Sequence, residues 1–176
     1  MKHTLIALME DRPGVLNRIA SLFRRRNFNI ASLTVGASET PGISRMTIVV
    51  DVDSGTGQIE QVVKQLYRVI NVTKVTDVTH EPIVARELAL VKVSSTSATR
   101  SEIMQVVSIY RAAVVDVALD SLTVEVTGPE DKIDSMVELL RPYGLKELVR
   151  TGRVAMVRGA ARRSPSRGSG GISNSS

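Results

Sequence analysis

The chain predicts an α+β fold: two tandem β-α-β-β-α-β sandwiches followed by a polar tail. Three observations carry that expectation. Short runs rich in β-branched residues alternate with segments of helical period. The order of those runs repeats once, on either side of a proline-containing break at residues 80–86. Apolar periodicity then stops after Gly159.

His3 to Met9 reads as a short apolar strand. Val15, Leu16, Ile19, Leu22 and Phe23 recur at helical spacing, which predicts a helix from Pro13 to Arg26. Arg24, Arg25 and Arg26 suit the negative pole at its end, and Asn27 suits the left-handed residue that closes a helix. Ile30 to Ala37 and Ser44 to Val52 are strands joined across the turn Thr40-Pro41-Gly42. Ile59, Val62, Val63, Leu66 and Ile70 mark a second helix, and Val72 to Thr79 a fourth strand. This first unit takes residues 1–79.

Residues 80–86, HEPIVAR, carry a proline and no period, so they read as a linker. The second unit, 87–158, repeats the order. Leu88 to Val93 is a strand, and Ile103, Met104, Val107 and Tyr110 give a helix. Val114 to Leu119 and Leu122 to Thr127 form a hairpin across Asp120-Ser121. Ile133, Met136, Val137 and Leu140 give the last helix, opened by Thr127-Gly128-Pro129-Glu130 at capping-box spacing and closed near Gly144. Glu147 to Val157 is the final strand, kinked at Gly152. Such units are ferredoxin-like sandwiches, an antiparallel sheet with both helices on one face. The other face of each sheet is then open and apolar, which asks for a partner: a second copy meeting it through sheet faces or edge strands.

Composition narrows the chemistry. Of 176 residues only five are Phe, Tyr or Trp, so the core is built from Val, Ile, Leu, Ala and Met. There is no cysteine, which excludes disulfides, thiolate nucleophiles and sulfur-bound metals and fits a reducing cytoplasm. MKHTLIALMEDR reaches charge too soon for a signal peptide, and no run approaches the roughly 20 apolar residues of a membrane span. The expectation is a cytoplasmic protein without a membrane partner. The net charge of +5 has a local origin: Arg158, Arg162, Arg163 and Arg167 lie beyond residue 157 with no acid, so residues 1–157 carry only +1. Residues 159–176, rich in Ser, Gly and Arg, read as a disordered tail.

Catalytic parts are missing. His3 and His80 are far apart in sequence and suggest no shared site. No phosphate-binding glycine loop or dinucleotide fingerprint occurs. Glu130, Asp131 and Asp134 fall in the first turns of a helix, where its dipole favours acids. An RNA-recognition module has the same strand order but stacks bases on aromatics. The corresponding strands here, SRMTIVVDV and LTVEVT, have none, so nucleic acid is not the expected partner.

Residues 9–33, MEDRPGVLNRIASLFRRRNFNIASL, are the most informative segment. Asp11, Pro13 and Gly14 stand where a helix exposes unpaired N–H groups, a ready receptor for a carboxylate. Asn29 and Ile30, at the entry to the next strand, offer an amide and an apolar surface. The set suits a small apolar amino acid, although Asp11 and Pro13 also serve as ordinary helix-starting residues. This segment resembles the N-terminal ACT domain of the regulatory (small) subunit of acetolactate synthase. The similarity extends through SLTVGASETPGISRMTIVV, ARELALVKV and RTGRVAMVRG, hence from Met1 to Gly159.

The resemblance implies an ACT domain plus a C-terminal ferredoxin-like domain in a non-catalytic subunit. Such a subunit activates a separate catalytic subunit and confers feedback inhibition by valine, leucine or isoleucine in branched-chain amino-acid biosynthesis. Thiamine diphosphate, FAD and Mg are expected on that partner, and no cofactor on this chain. The effector site lies between two ACT domains of a homodimer. By position, Asp11 and the backbone of Gly14, Val15 and Leu16 come from one chain, and Asn29 and Ile30 from the other. Leu16, Ile30 and Val35 line the pocket for the effector side chain, and Asp11 or Asn29 receives its ammonium. Asn27 replaces a glycine common in the family, and Ala85 stands where an acid is frequent. The alternatives are an ACT-type sensor of a different enzyme and an RNA-binding β-α-β-β-α-β module.

Overall fold

A computed structural model of the chain describes residues 1–53 and 57–159. The expected disordered tail therefore lies, from residue 160 on, outside the described residues. The order of elements is β1 (Lys2–Glu10), α1 (Val15–Arg26), β2 (Asn29–Ala37), β3 (Ile43–Asp51), α2 (Gln58–Tyr67) and β4 (Val72–Asp77). The second unit has β5 (Ile83–Ser94), α3 (Arg100–Ile109), β6 (Ala113–Val117), β7 (Ser121–Gly128), α4 (Glu130–Leu140), β8 (Leu145–Arg150) and β9 (Val154–Val157).

Each unit is an antiparallel sheet with two helices on one face, in the orders β2-β3-β1-β4 and β6-β7-β5-β8. Strand alternation sends Leu5, Ala7 and Met9 of β1 and Met46, Ile48 and Val50 of β3 toward the helices. There they meet Val15, Ile19 and Phe23 of α1 and Val62 and Leu66 of α2. Phe23 also meets Phe28 edge-on, ring centroids 6.1 Å apart. The second core repeats the arrangement, with Val91, Val93, Val124 and Val126 under Ile103, Ile133, Met136 and Leu140. Asn27 ends α1 at φ 55, the left-handed conformation for which a glycine is the commoner choice.

Four local expectations need correction. Residues 83–86 are not linker: they form the first part of β5 and pair with β9. The last strand does not kink but divides at residues 151–153 into β8, which pairs with residues 89–93 of β5, and β9, which pairs with residues 83–86. The capping box at Thr127–Glu130 does not form: Pro129 is the N-cap and no side chain caps the helix. Glu130 is drawn instead to Lys2 and Arg153 at 2.8 and 3.0 Å. His3 and His80, distant in sequence, are neighbours, their ring centroids 6.3 Å apart.

A fifth correction is architectural. The outer face of the first sheet is neither open nor apolar. Thr4, Ile6, Thr47 and Val49 on that face are buried, because the β5–β9 ribbon lies over it. Thr34 Oγ1 donates to the Thr151 carbonyl at 3.1 Å, and the Arg45 guanidinium donates to the Ala155 carbonyl at 2.8 Å. Arg153 donates to Thr4 Oγ1 and to Glu130, each at 3.0 Å, and Lys2 completes the bridge to Glu130. Gly152 sits at the closest approach: φ is +84, and a Cβ would fall 3.0 Å from Ser32 Cβ. Only glycine meets both conditions without strain. The outer face of the second sheet is mixed, with Leu90 and Val149 beside a Lys92–Glu147 ion pair of 3.6 Å.

Hydrogen bonding from Lys2, then the charges of Lys2 and Arg153, hold the Glu130 carboxyl below its ordinary value of 4.5. A carboxyl depressed in the folded state stabilises it above the unfolded pKa, and that contribution is lost as pH falls through the folded value. Docking of the two domains is therefore expected to persist at neutral pH and weaken below about 4.5. Amide exchange at residues 151–155 checks this: protection falls in acid, and Glu130→Gln shows the loss already at pH 7.

Candidate effector site

The loop from β1 to α1 is tied down from beneath. The Asp11 N–H donates to the Gly42 carbonyl at 2.8 Å, fastening the loop to the β2–β3 hairpin. The Glu10 N–H donates to the Asn71 carbonyl, and the Glu10 carboxylate takes Arg12 at 2.7 Å and the Asn71 amide at 3.1 Å. Arg18 donates to Asn71 Oδ1 at 2.8 Å. The loop is thus fixed by one strand, one hairpin and one buried asparagine.

Its upper side is left free. Gly14, not Asp11, is the N-cap of α1, at φ +84. No side chain caps the helix, and the Val15 N–H reaches only the Arg12 carbonyl at 3.4 Å. Among the described residues no acceptor meets the N–H groups of Leu16 and Asn17. The Asp11 carboxylate is exposed and makes no hydrogen bond or ion pair among them. A positive helix pole with unpaired donors, a free carboxylate beside it and an exposed Leu16 together match the two ends and side chain of an apolar amino acid. Val15 contributes backbone only, since its side chain is buried in the core.

The remaining candidates are elsewhere in the chain. Asn29 and Ile30 pair with Asp51 and Val50, at the register of Lys2 and His3. Asp11 follows Glu10 at the far end of β1. The eight steps between Lys2 and Glu10, at roughly 3.4 Å each, separate the two groups by about 27 Å. Val35 lies between them, across β3 from Ala7, and is 42% exposed. One chain does not assemble the site. Asn29, Ile30 and Val35 lie on β2, whose second edge is unpaired within the chain. Asp11, Gly14, Val15 and Leu16 instead span the end of β1 and the first turn of α1, with β3 between β1 and β2.

Sequence reasoning missed the domain clamp of Lys2, Glu130, Arg153, Arg45 and Thr34. These contacts span 23 to 149 residues, so no local periodicity marks them.

Two tandem β-α-β-β-α-β sandwiches, the first with an uncapped helix start and an open edge strand, define a ferredoxin-like α+β protein. Comparisons with known proteins carry the assignment further. Residues 5–74 match a family described as the AHAS small subunit-like ACT domain, and residues 86–159 match the small subunit of acetolactate synthase. A protein of Archaeoglobus fulgidus described as "Probable acetolactate synthase small subunit" is 54% identical over 159 residues, 90% of this chain and 98% of that one. The acetolactate synthase small subunit of Bacillus subtilis is 50% identical over 166 residues, covering 94% and 96%. The crystal structure of the small subunit from Thermotoga maritima superposes with a TM-score of 0.84 at 41% identity, over 92% of this chain and 99% of that one. The chain belongs to the acetolactate synthase small-subunit family.

The strain at Gly14 is testable without a ligand. A Cβ there meets nothing within 4 Å, so Gly14→Ala costs only the left-handed backbone, about 1–2 kcal/mol. Gly36, equally uncrowded and without a positive φ, is the control: Gly36→Ala stays within about 0.5 kcal/mol. Urea unfolding of both variants measures the difference.

Proposed function

We propose that this chain is the non-catalytic regulatory subunit of a cytoplasmic acetolactate synthase. It activates a thiamine-diphosphate-dependent catalytic subunit and makes it sensitive to valine. The observation that carries the effector site is the separation of its two halves. The carboxylate receptor at Gly14–Leu16 and the amide of Asn29 sit at opposite ends of one sheet, and the edge strand that joins those ends is open. Antiparallel pairing of β2 with a second copy, centred on Leu33, sets Asn29 opposite Ala37 of the other chain. Ala37 pairs with Ser44 at the end of the sheet where Asp11 and Gly14 lie. A homodimer thus completes two identical sites, and edge pairing also removes an exposed strand.

In each site the N–H groups of Leu16 and its neighbours receive the valine carboxylate, helped by the helix pole. Asp11 is placed to take the ammonium, since its carboxylate is free, while Asn29 of the other copy adds its amide. Leu16, Ile30 and Val35 cover the side chain. Two methyl groups beyond alanine, at about 0.8 kcal/mol per carbon, favour valine by somewhat more than tenfold. Discrimination from leucine or isoleucine needs shape rather than burial. Thiamine diphosphate, FAD and Mg are assigned to the catalytic partner. The RNA reading gains no support: the outer face of the first sheet, where such a module stacks bases, carries the β5–β9 ribbon.

Mixing the chain with its catalytic subunit is expected to raise acetolactate formation, and valine to lower it. Activation with no valine response, together with response to another effector, points to a sensor of different specificity. No effect on turnover removes the assignment. Asn29→Ala deletes one or two hydrogen bonds at about 0.5–1.5 kcal/mol each, weakening valine binding from several-fold to about a hundredfold. Gly14→Asp weakens it more, by setting a negative charge beside the carboxylate. Calorimetric titration checks both; unchanged binding in both variants moves the effector elsewhere.

A further inference from the structure

Four arginines converge on the groove between α1 and α2: Arg18, Arg25 and Arg26 from α1, and Arg68, the residue that ends α2. The groove encloses about 570 Å³, and no carboxylate lines it. Leu22 and Val69 give it an apolar part, and Ile70, 88% exposed, lines it too. Among the described residues Arg25, Arg26 and Arg68 have no ion-pair partner, and Arg18 is held only by the Asn71 amide.

The dipole of α1 accounts for basic residues in its last turn. It does not account for Arg18, two turns earlier, nor for Arg68 on another helix, nor for an isoleucine left in water beside them. Like charges gathered in one groove repel, and an acidic occupant removes that repulsion. The occupant is better a protein segment than a phosphate. No glycine lines the groove, which runs along α1 from Asn17 to Arg26 and meets the carboxyl end of α2. Arginine beside an exposed aliphatic anchor is the composition of a protein interface. Two other surfaces of the first domain are already engaged. Its outer sheet face is covered by the ribbon, and its β2 edge is assigned to the second copy.

We propose that the α1–α2 groove is the surface on which the catalytic subunit docks, through an acidic segment with an apolar anchor seated on Arg25, Arg26, Arg68 and Ile70. This rests on the regulatory-subunit reading above. Neither Gly14 nor Asn29 lines the groove, and the side chains of Arg25 and Arg68 make no hydrogen bond to the effector loop among the described residues, so docking and effector binding separate by mutation at those two arginines.

The test compares the full-length wild type with the double variant Arg25→Glu/Arg68→Glu, with Ile70→Ser, and with Arg24→Glu. The last alters the same helix end outside the groove. Association with the purified catalytic subunit is measured by sedimentation at low and high salt, with valine binding by calorimetry and thermal melts as folding controls. The double variant is expected to associate at least about tenfold more weakly and to lose the salt sensitivity of the wild type. Ile70→Ser also weakens association, and Arg24→Glu changes it by less than about threefold. Valine binding is retained in all. Equal association of the wild type and the double variant overturns the groove while leaving the regulatory reading intact. Equal losses in Arg24→Glu and the double variant overturn it as well, since the effect is then general charge. If the wild type itself does not associate, the regulatory reading falls and the proposal with it. Binding of inorganic polyphosphate by the wild type that is lost in the double variant, with association unchanged, assigns the groove to a polyanion instead.

Discussion

A β-α-β-β-α-β sandwich has helices for only one face of its sheet, and the other face must be buried against something. In this chain the first domain meets that constraint internally. The β5–β9 ribbon, built from the two ends of the second domain, covers Thr4, Ile6, Thr47 and Val49. The contact is polar and specific: donors from Thr34 and Arg45 meet ribbon carbonyls, and Arg153 reaches Thr4. Lys2, Glu130 and Arg153 tie the domains at the rim. A contact of this kind fixes orientation more than it adds stability, because each hydrogen bond replaces one to water.

That coverage decides what remains for partners. With the outer face occupied, the first domain keeps an open β2 edge and an exposed helix layer. In the proposed account, a second copy on that edge brings together the two halves of the effector site. The helix layer carries the unpaired arginines. On the reading proposed above, ligand and second copy share the β2 edge and the catalytic subunit takes the helix layer. The ribbon also reaches β2 itself, where Thr34 donates to the Thr151 carbonyl.

The sandwich order was legible because its signals are local. The alternation of β1 and β3 and the spacing of Val15, Ile19 and Phe23 depend on neighbours within a few residues. The helix start at Gly14 was legible too, as a backbone feature marked by Pro13-Gly14. What escaped is non-local. Ile83–Arg86 carries Pro82 before it and shows no period, and becomes strand only because Val154–Val157 lies beside it. Thr127 and Glu130 have the spacing of a capping box, yet Thr127 is held in β7 and Glu130 is claimed by charges from Lys2 and Arg153. His3 and His80 meet because β1 and the residues after β4 share one end of a sheet. The arginine run was explained by α1 alone, since nothing in the sequence sets Arg68 beside it.

The central claim is that the effector is held between two chains, and its most direct test is linkage. If valine binds only the completed site, it must tighten the dimer, by about a hundredfold per site when present at a hundred times its dissociation constant. Sedimentation equilibrium of the isolated chain across a valine series measures this. The account predicts a dimer dissociation constant that falls steadily as valine rises. A dimer constant that does not change, with valine bound as tightly at concentrations where the protein is monomeric, would contradict it.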